Sequence, residues 1–311
     1  MSDNIQIILI GGYGRSGSTL LEMLLLDRLK AASVGELKYL WQRGFIRGEL
    51  CACGTPVNTC PFWGDVGGRV RSGADTDFTE VEALRLSVER HRMHFIHRDL
   101  KIPSTTYTQN RAAYIEILRG TIQAIAESSG CNIIIDSSKD PAHIDLMAEA
   151  FPGQVRLVHL VRDSRAVAYS FQTPKVRREV HWKTEMMGTN SLLRAAVTWN
   201  YINGALERIA GKAGLHRIRY EDLATDPTRM LDDLITYIDP ATQDTADGTV
   251  SSHSVSGNPM RFSVSKREVR LDERWKQKFA GWRRAVVTAL TLHRLLKYRF
   301  ITFGSSSHEG K

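Results

Sequence analysis

Long apolar runs are missing from this sequence. The two longest, Ile5–Ile10 and Leu20–Leu26, fall far short of the ~20 residues a membrane-spanning helix needs, and Glu22 interrupts the second. Met1–Asn4 has no basic stretch leading into an apolar one, so no secretory leader is expected and a cytoplasmic location is. Cysteine is scarce: four in 311 residues cannot staple a small disulfide scaffold. Aromatic residues make up 8% and nowhere interleave with the basic ones as a single-strand binding platform requires. Nucleic acid is therefore not an expected partner, despite a net charge of +8. With 42% hydrophobic residues the chain is neither disordered nor collagen-like.

What the sequence does contain is an alternation of short aliphatic runs and helical periodicity. Strands are predicted at Gln6–Ile10, Ala31–Val34, Cys131–Asp136, Arg156–Val161 and His216–Tyr220. Between them, helices are predicted from Ser18 to near Lys30, Glu80 to about His97, Arg111–Ser128, Ala142–Phe151, after Arg162 through Phe171, Leu192–Ala213 and Pro227–Ile238. A last helical region runs from Asp272 to about Arg299. Residues 42–80 read as loop-rich, 173–190 as a polar, basic, mobile loop, 240–270 as a long loop and 304–311 as a disordered tail. Such alternation predicts an α/β fold, a single doubly wound domain over residues 1–303 with a central, mainly parallel sheet.

The glycine-rich turn after the first strand admits three readings. Gly12-Tyr13-Gly14-Arg15-Ser16-Gly17 satisfies G-x-G-x-x-G, and Glu36 stands nineteen residues beyond Gly17, where a dinucleotide fold holds its ribose-binding acid. That reading implies an NAD- or FAD-dependent oxidoreductase. The same residues form a phosphate loop, Gly12 to Gly17-Ser18-Thr19, with serine where lysine should stand, so ordinary nucleotide hydrolysis is not expected. Thirdly, backbone N–H groups, two hydroxyls and Arg15 at the start of a helix make a cage for a strongly anionic group that needs no metal.

Gly14-Arg15-Ser16-Gly17-Ser18-Thr19-Leu20-Leu21, following a first strand, resembles the 5′-phosphosulfate loop of the sulfotransferases, which use 3′-phosphoadenosine 5′-phosphosulfate (PAPS) as co-substrate. The family also carries an arginine closing a later strand and a serine eight positions on. Arg162 and Ser170 match that pair. Tyr220-Glu221-Asp222-Leu223 is similar to a segment whose tyrosine lies near the adenine, and Asn258 and Arg261 fall where a late loop closes over the 3′-phosphate. Gly35-Glu36 and Ser138-Lys139-Asp140-Pro141 resemble segments of the tyrosylprotein branch. The resemblance thus implies a P-loop-like fold and in-line transfer of a sulfuryl group to an acceptor hydroxyl on a carbohydrate, glycolipid, small natural product or peptide tyrosine. Glu36 would act as the base, with Arg15 and Lys139 as charge-neutralising groups. Gly14, Arg15, Ser16, Gly17, Ser18 and Thr19 would hold the 5′ end and Arg162 and Ser170 the 3′-phosphate. Residues 42–115 and 173–190 would form the acceptor side.

No metal is expected. Cys51, Cys53 and Cys60 are close in sequence but lack a fourth ligand nearby, leaving reduced thiols or a reversible disulfide from Cys60. His91, His94 and His97 recur as one helix face without acidic partners. His97-Arg98-Asp99 imitates a kinase catalytic loop, but no Asp-Phe-Gly follows. The basic, amphipathic segment Arg283–Arg299 is expected to pack on the core, with peripheral lipid contact as the alternative.

Overall fold

Strand β1 (Gln6–Gly11) shows why this chain folds as layers: its side chains alternate between two cores. Ile7 and Leu9 enter one apolar cluster, whereas Ile8 and Ile10 enter the other. A computed structural model describes residues 5–74, 77–210, 214–238, 252–262 and 269–302. Within these, β1, β2 (Ala31–Gly35), β3 (Ile133–Lys139), β4 (Val155–Val161) and β5 (His216–Arg219) form one parallel sheet in the order β2-β3-β1-β4-β5. Helices Ser18–Leu26 and Pro227–Ile238 cover the face carrying Ile8 and Ile10. Helices Thr105–Ser129, Pro141–Ala150 and Leu192–Ala210 cover the other. This is the α/β architecture expected from the alternation of elements.

The sheet order bears on the glycine turn. In the dinucleotide fold, the first two strands are neighbours. Here β3 and β4 flank β1, and β2 lies beyond β3. That β2 is not the neighbour of β1 sets this sheet apart from the dinucleotide strand order.

Several boundaries differ from the sequence expectation. Residues 42–80 hold a wide-turned helical segment, Leu40–Ile46, and a regular helix, Pro61–Ala74. Four glycines hide that helix's pattern, but Trp63, Val66 and Val70 all face the core. The Glu80–His97 helix is Phe78–Val88, started by the Asp77 carboxylate, with separate turns after it at His91–His94 and Phe95–Asp99. Ser104 starts the next helix at Thr105, earlier than Arg111, by accepting from Tyr107 N. β3 continues to Lys139. The last helical region breaks into Arg274–Lys278 and Gly281–Lys297. The second of these buries Val287, Thr291 and Leu295, as core packing requires, and leaves Trp282, Val286 and Leu290 exposed. Residues 173–190 fold back on themselves: Val176 bridges Met186, and Arg177 reaches Glu49 (2.6 Å), Glu179 (3.0 Å) and Glu185. The 304–311 tail, the end of the helix at Ala213 and most of the 240–270 loop lie outside the described residues.

Candidate functional site

All five strands end at the same edge of the sheet, and the residues at or just past their ends meet in a single cavity of about 610 Å³. From β1 come Gly14, Arg15, Gly17, Ser18 and Thr19. Glu36 stands after β2, Lys139 closes β3, Arg162 stands after β4 and Tyr220 after β5. Ser170 and Asn258 line it as well. In an open α/β sheet this carboxyl edge, where strand order reverses, is the place for a ligand.

The β1 loop turns through Arg15 (φ 71°) and Gly17 (φ 95°), which opens helix Ser18–Leu26 without a side-chain cap. A Cβ on Gly17 would stand 2.6 Å from the Tyr220 ring, so only glycine fits there. The helix therefore offers its first N–H groups to the cavity. The Arg15 guanidinium lies 5.5 Å from the Phe171 ring centre, and burial lowers its proton affinity although Glu36 pulls the other way. Ser16 does not line the cavity; its hydroxyl donates to Tyr13 O at 2.7 Å and holds the loop's shape.

Glu36 and Lys139 meet directly, Lys139 Nζ donating to Glu36 Oε1 at 2.7 Å. Beside them Lys38 pairs with Asp140, so residues 36–38 and 139–140 are tied by two reciprocal ion pairs. Burial alone would raise the Glu36 carboxyl, but Lys139, with Arg43 and Lys38, outweighs it and holds the group below the ordinary carboxylate range. Glu36 is thus ionised at neutral pH and able to accept a proton. Beneath Lys139, Asp136 Oδ1 accepts from Ser138 N (2.8 Å) while its Oδ2 contacts His143 Nε2 at 2.6 Å. The other ring nitrogen of His143 contacts Glu89.

Arg162 is almost fully buried. It lies 4.4 Å from the Tyr220 ring centre and donates to Arg15 O (3.1 Å) and Asp272 O (3.2 Å). Its Nε is buried without a hydrogen-bond partner. Eight of the lining side chains are cationic and three are acidic, a balance suited to an anion carrying several charges. Five of the cations, Arg43, Lys175, Arg177, Arg270 and Arg274, were not singled out by sequence reasoning. Burial, with Arg15 and Arg162 close by, lowers the proton affinity of Lys175.

Arg261 departs from its expected place. It does not line the cavity: its guanidinium donates to the carbonyls of Leu50 (3.0 Å), Ser254 (3.1 Å) and Ser256. It braces the segment 252–262, which carries Asn258. The same segment is fixed by Val255, whose N–H donates to Val34 O (2.9 Å) and whose carbonyl accepts from Glu36 N (2.8 Å). Ser254 Oγ donates to the buried Glu22 at 2.6 Å. The fourth donor that the local sequence around the cysteines lacks comes from this segment too: His253 lies against Cys51, Cys53 and Cys60.

A family model described as the sulfotransferase family matches residues 7–244. Among solved structures, the sulfotransferase domain of the Synechococcus PCC 7002 olefin synthase is similar at 16% identity, over 97% of this chain and 96% of that one, with a TM-score of 0.42. The sulfotransferase domain from the curacin biosynthetic pathway (17%, 92% and 96%, 0.47) and sulfotransferase STF9 from Mycobacterium avium (15%, 94% and 76%, 0.48) are similar as well. No curated protein matches the sequence. Among the described residues, no helix is long and apolar enough to cross a membrane.

Proposed function

Because this chain belongs to the sulfotransferase family, we propose that it transfers a sulfuryl group from PAPS to an acceptor hydroxyl, without a metal in the reaction. The observation that carries this reading is the convergence of all five strand ends, with eight cationic side chains, on one cavity. The donor's 5′ end would lie against the N–H groups at Gly17-Ser18-Thr19, its 3′-phosphate between Arg162 and Ser170, and its adenine near Tyr220. The orphaned Nε of Arg162 fits that role, since a buried guanidinium nitrogen without an acceptor is satisfied by a phosphate oxygen.

Sulfuryl transfer, like phosphoryl transfer, passes through a loose, charge-spread state, so positioning and electrostatics do most of the work. The acceptor oxygen forms the new S–O bond as the bridging S–O bond to the 5′-phosphate breaks. Glu36 takes the hydroxyl proton, and the bond's electrons leave on the phosphate. Arg15 and Lys139 neutralise the charge gathering there and on the sulfuryl oxygens. In the resting site Lys139 is paired with Glu36. Its transfer to the sulfuryl oxygens would release Glu36 from its strongest ion pair just when a base is needed. Residues 42–115 and 173–190 form the acceptor side in this reading. The dinucleotide alternative is not favoured, because β2 and β1 are not neighbours.

Calorimetric titration with adenosine 3′,5′-bisphosphate, ATP–magnesium and NAD tests the reading. Tight binding of the bisphosphate alone is the expected result. Binding of NAD alone, or equal binding of the bisphosphate and ATP, would overturn it.

A further inference from the structure

Cys51, Cys53, Cys60 and His253 bring one ligand atom each to a common point: the four atoms lie within 4.8 Å of one another, and no other group of three or more His, Cys, Asp or Glu among the described residues is so arranged. Cys51 Sγ and Cys60 Sγ each lie 3.5 Å from His253 Nδ1, and Cys53 Sγ lies 3.7 Å from Cys60 Sγ. A tetrahedral ion with ~2.3 Å bonds to sulfur and ~2.05 Å to nitrogen would set these edges at ~3.8 Å for S–S and ~3.6 Å for S–N. These three of the six separations lie within about 0.1 Å of the edges of such a tetrahedron, and the other three are within 4.8 Å.

The surroundings are those of a built site. Cys51 and Cys60 are fully buried, and backbone N–H groups of Cys53 and Trp63 hydrogen-bond their sulfurs. Gly54 (φ 90°) turns the chain directly after Cys53. The His253 ring is oriented by Phe62, stacked 4.4 Å away at 10°, and its carbonyl accepts from Trp63 Nε1 at 2.8 Å. Cys53 is exposed, which leaves an entry path. A disulfide would use two of these sulfurs and leave the third thiol and the imidazole converged on it without purpose.

We propose that Cys51, Cys53, Cys60 and His253 bind a structural zinc ion that clasps the 252–262 segment to the Cys51–Trp63 loop. Three thiolates and an imidazole select a soft, tetrahedral divalent ion, and all four positions are filled by protein, so the ion is closed to substrate. The guanidinium of Arg261, held on the carbonyls of Leu50 and Ser254 next to two of the ligands, offsets the site's net negative charge. Because Ser256, Gly257 and Asn258 line the large cavity, loss of the ion would loosen that cavity's wall.

The test is elemental analysis of the full-length protein, purified with reductant and without a histidine tag, before and after incubation with zinc. One equivalent per chain is expected, falling below about a tenth in Cys60→Ser and His253→Ala and unchanged in Cys131→Ser; chelation should lower Tm, and zinc but not magnesium should restore it. Should the variants fail to fold, cobalt substitution of the wild type decides: intense visible bands with a sulfur charge-transfer band support the site, and weak octahedral bands overturn it. Wild-type protein that takes up no zinc, whether its thiols are free or disulfide-bonded, or a His253→Ala protein that keeps its ion, would also overturn it. None of these readouts depends on sulfuryl transfer.

Discussion

Arg162 and Glu36 should separate binding from chemistry. The buried guanidinium of Arg162 has one nitrogen without an acceptor, so its work is done when an anion arrives. Arg162→Ala should weaken binding of adenosine 3′,5′-bisphosphate about 30-fold or more, roughly 2 kcal/mol, in the same titration. Glu36→Gln keeps the shape of the side chain but not its proton affinity; kcat should fall by ~10²–10⁴ while affinity for the bisphosphate changes little. Turnover near that of the wild type would remove Glu36 from the base role. Gly17→Ala should impair both, since the new methyl meets the Tyr220 ring in a backbone conformation that alanine resists. Glu36 and Arg162 were legible in the sequence because each stands directly after a strand, and Gly17 because it opens the helix that follows the β1 turn. Arg43, Lys175, Arg177 and Arg270 were not, since they sit on segments without periodicity; nor was Arg274, at the start of a predicted helical region, and all five are brought to the cavity only by tertiary folding. Arg261 shows the converse limit. Its segment does reach the cavity through Asn258, but nothing in the spacing shows that its guanidinium is occupied by three carbonyls.

Between residues and fold lie the turns that present the site, and the turn after β3 rests on a buried charged triad. Burial alone would lower the proton affinity of His143, but Asp136 and Glu89 reverse that and raise it to about 10. A histidine with a raised value contributes stability that is fully present below its unfolded value of about 6.5 and is lost as pH rises through about 10. The wild-type Tm should therefore decline across that alkaline window, and the decline should be absent from His143→Gln. Removing the imidazole altogether, in His143→Ala, leaves the buried Asp136 without a cationic partner, while Glu89 keeps Arg85 at 2.7 Å, and should lower stability by about 3 kcal/mol in urea unfolding at pH 7. A Tm in His143→Ala equal to that of the wild type would mean the triad is not charged. At this scale the sequence was a fair guide where aliphatic runs or caps mark an element. It failed at helix Pro61–Ala74, whose core-facing Trp63, Val66 and Val70 are diluted by four glycines. That helix persists through contact with Thr105–Ser129 rather than through its own propensity.

Taken whole, the molecule gathers eight cationic side chains against three acidic ones in the cavity at one edge of the sheet. Affinity for the bisphosphate should fall severalfold as salt is raised from about 50 to about 300 mM, because screening acts on the cations that are not fully buried. A flat dependence would place the binding energy in apolar contacts instead. The α/β class was legible from the alternation of elements, but the sheet order was not, since β1 and β2 adjoin in sequence without pairing. That order also governs how the chain can come together as it is made. Ile133 lies opposite both Gln6 and Ala31, so the strand that joins the first two arrives only after the entire helical segment between them. Until β3 has left the ribosome, no two strands of this sheet can meet, and the apolar residues of β1 and β2 must wait unpaired. A fragment ending at Gly130 should accordingly show helix but no native sheet by circular dichroism and should need a chaperone to stay soluble. The site's own design, in which distant strands deliver neighbouring side chains, leaves the nascent chain vulnerable until β3 has been made.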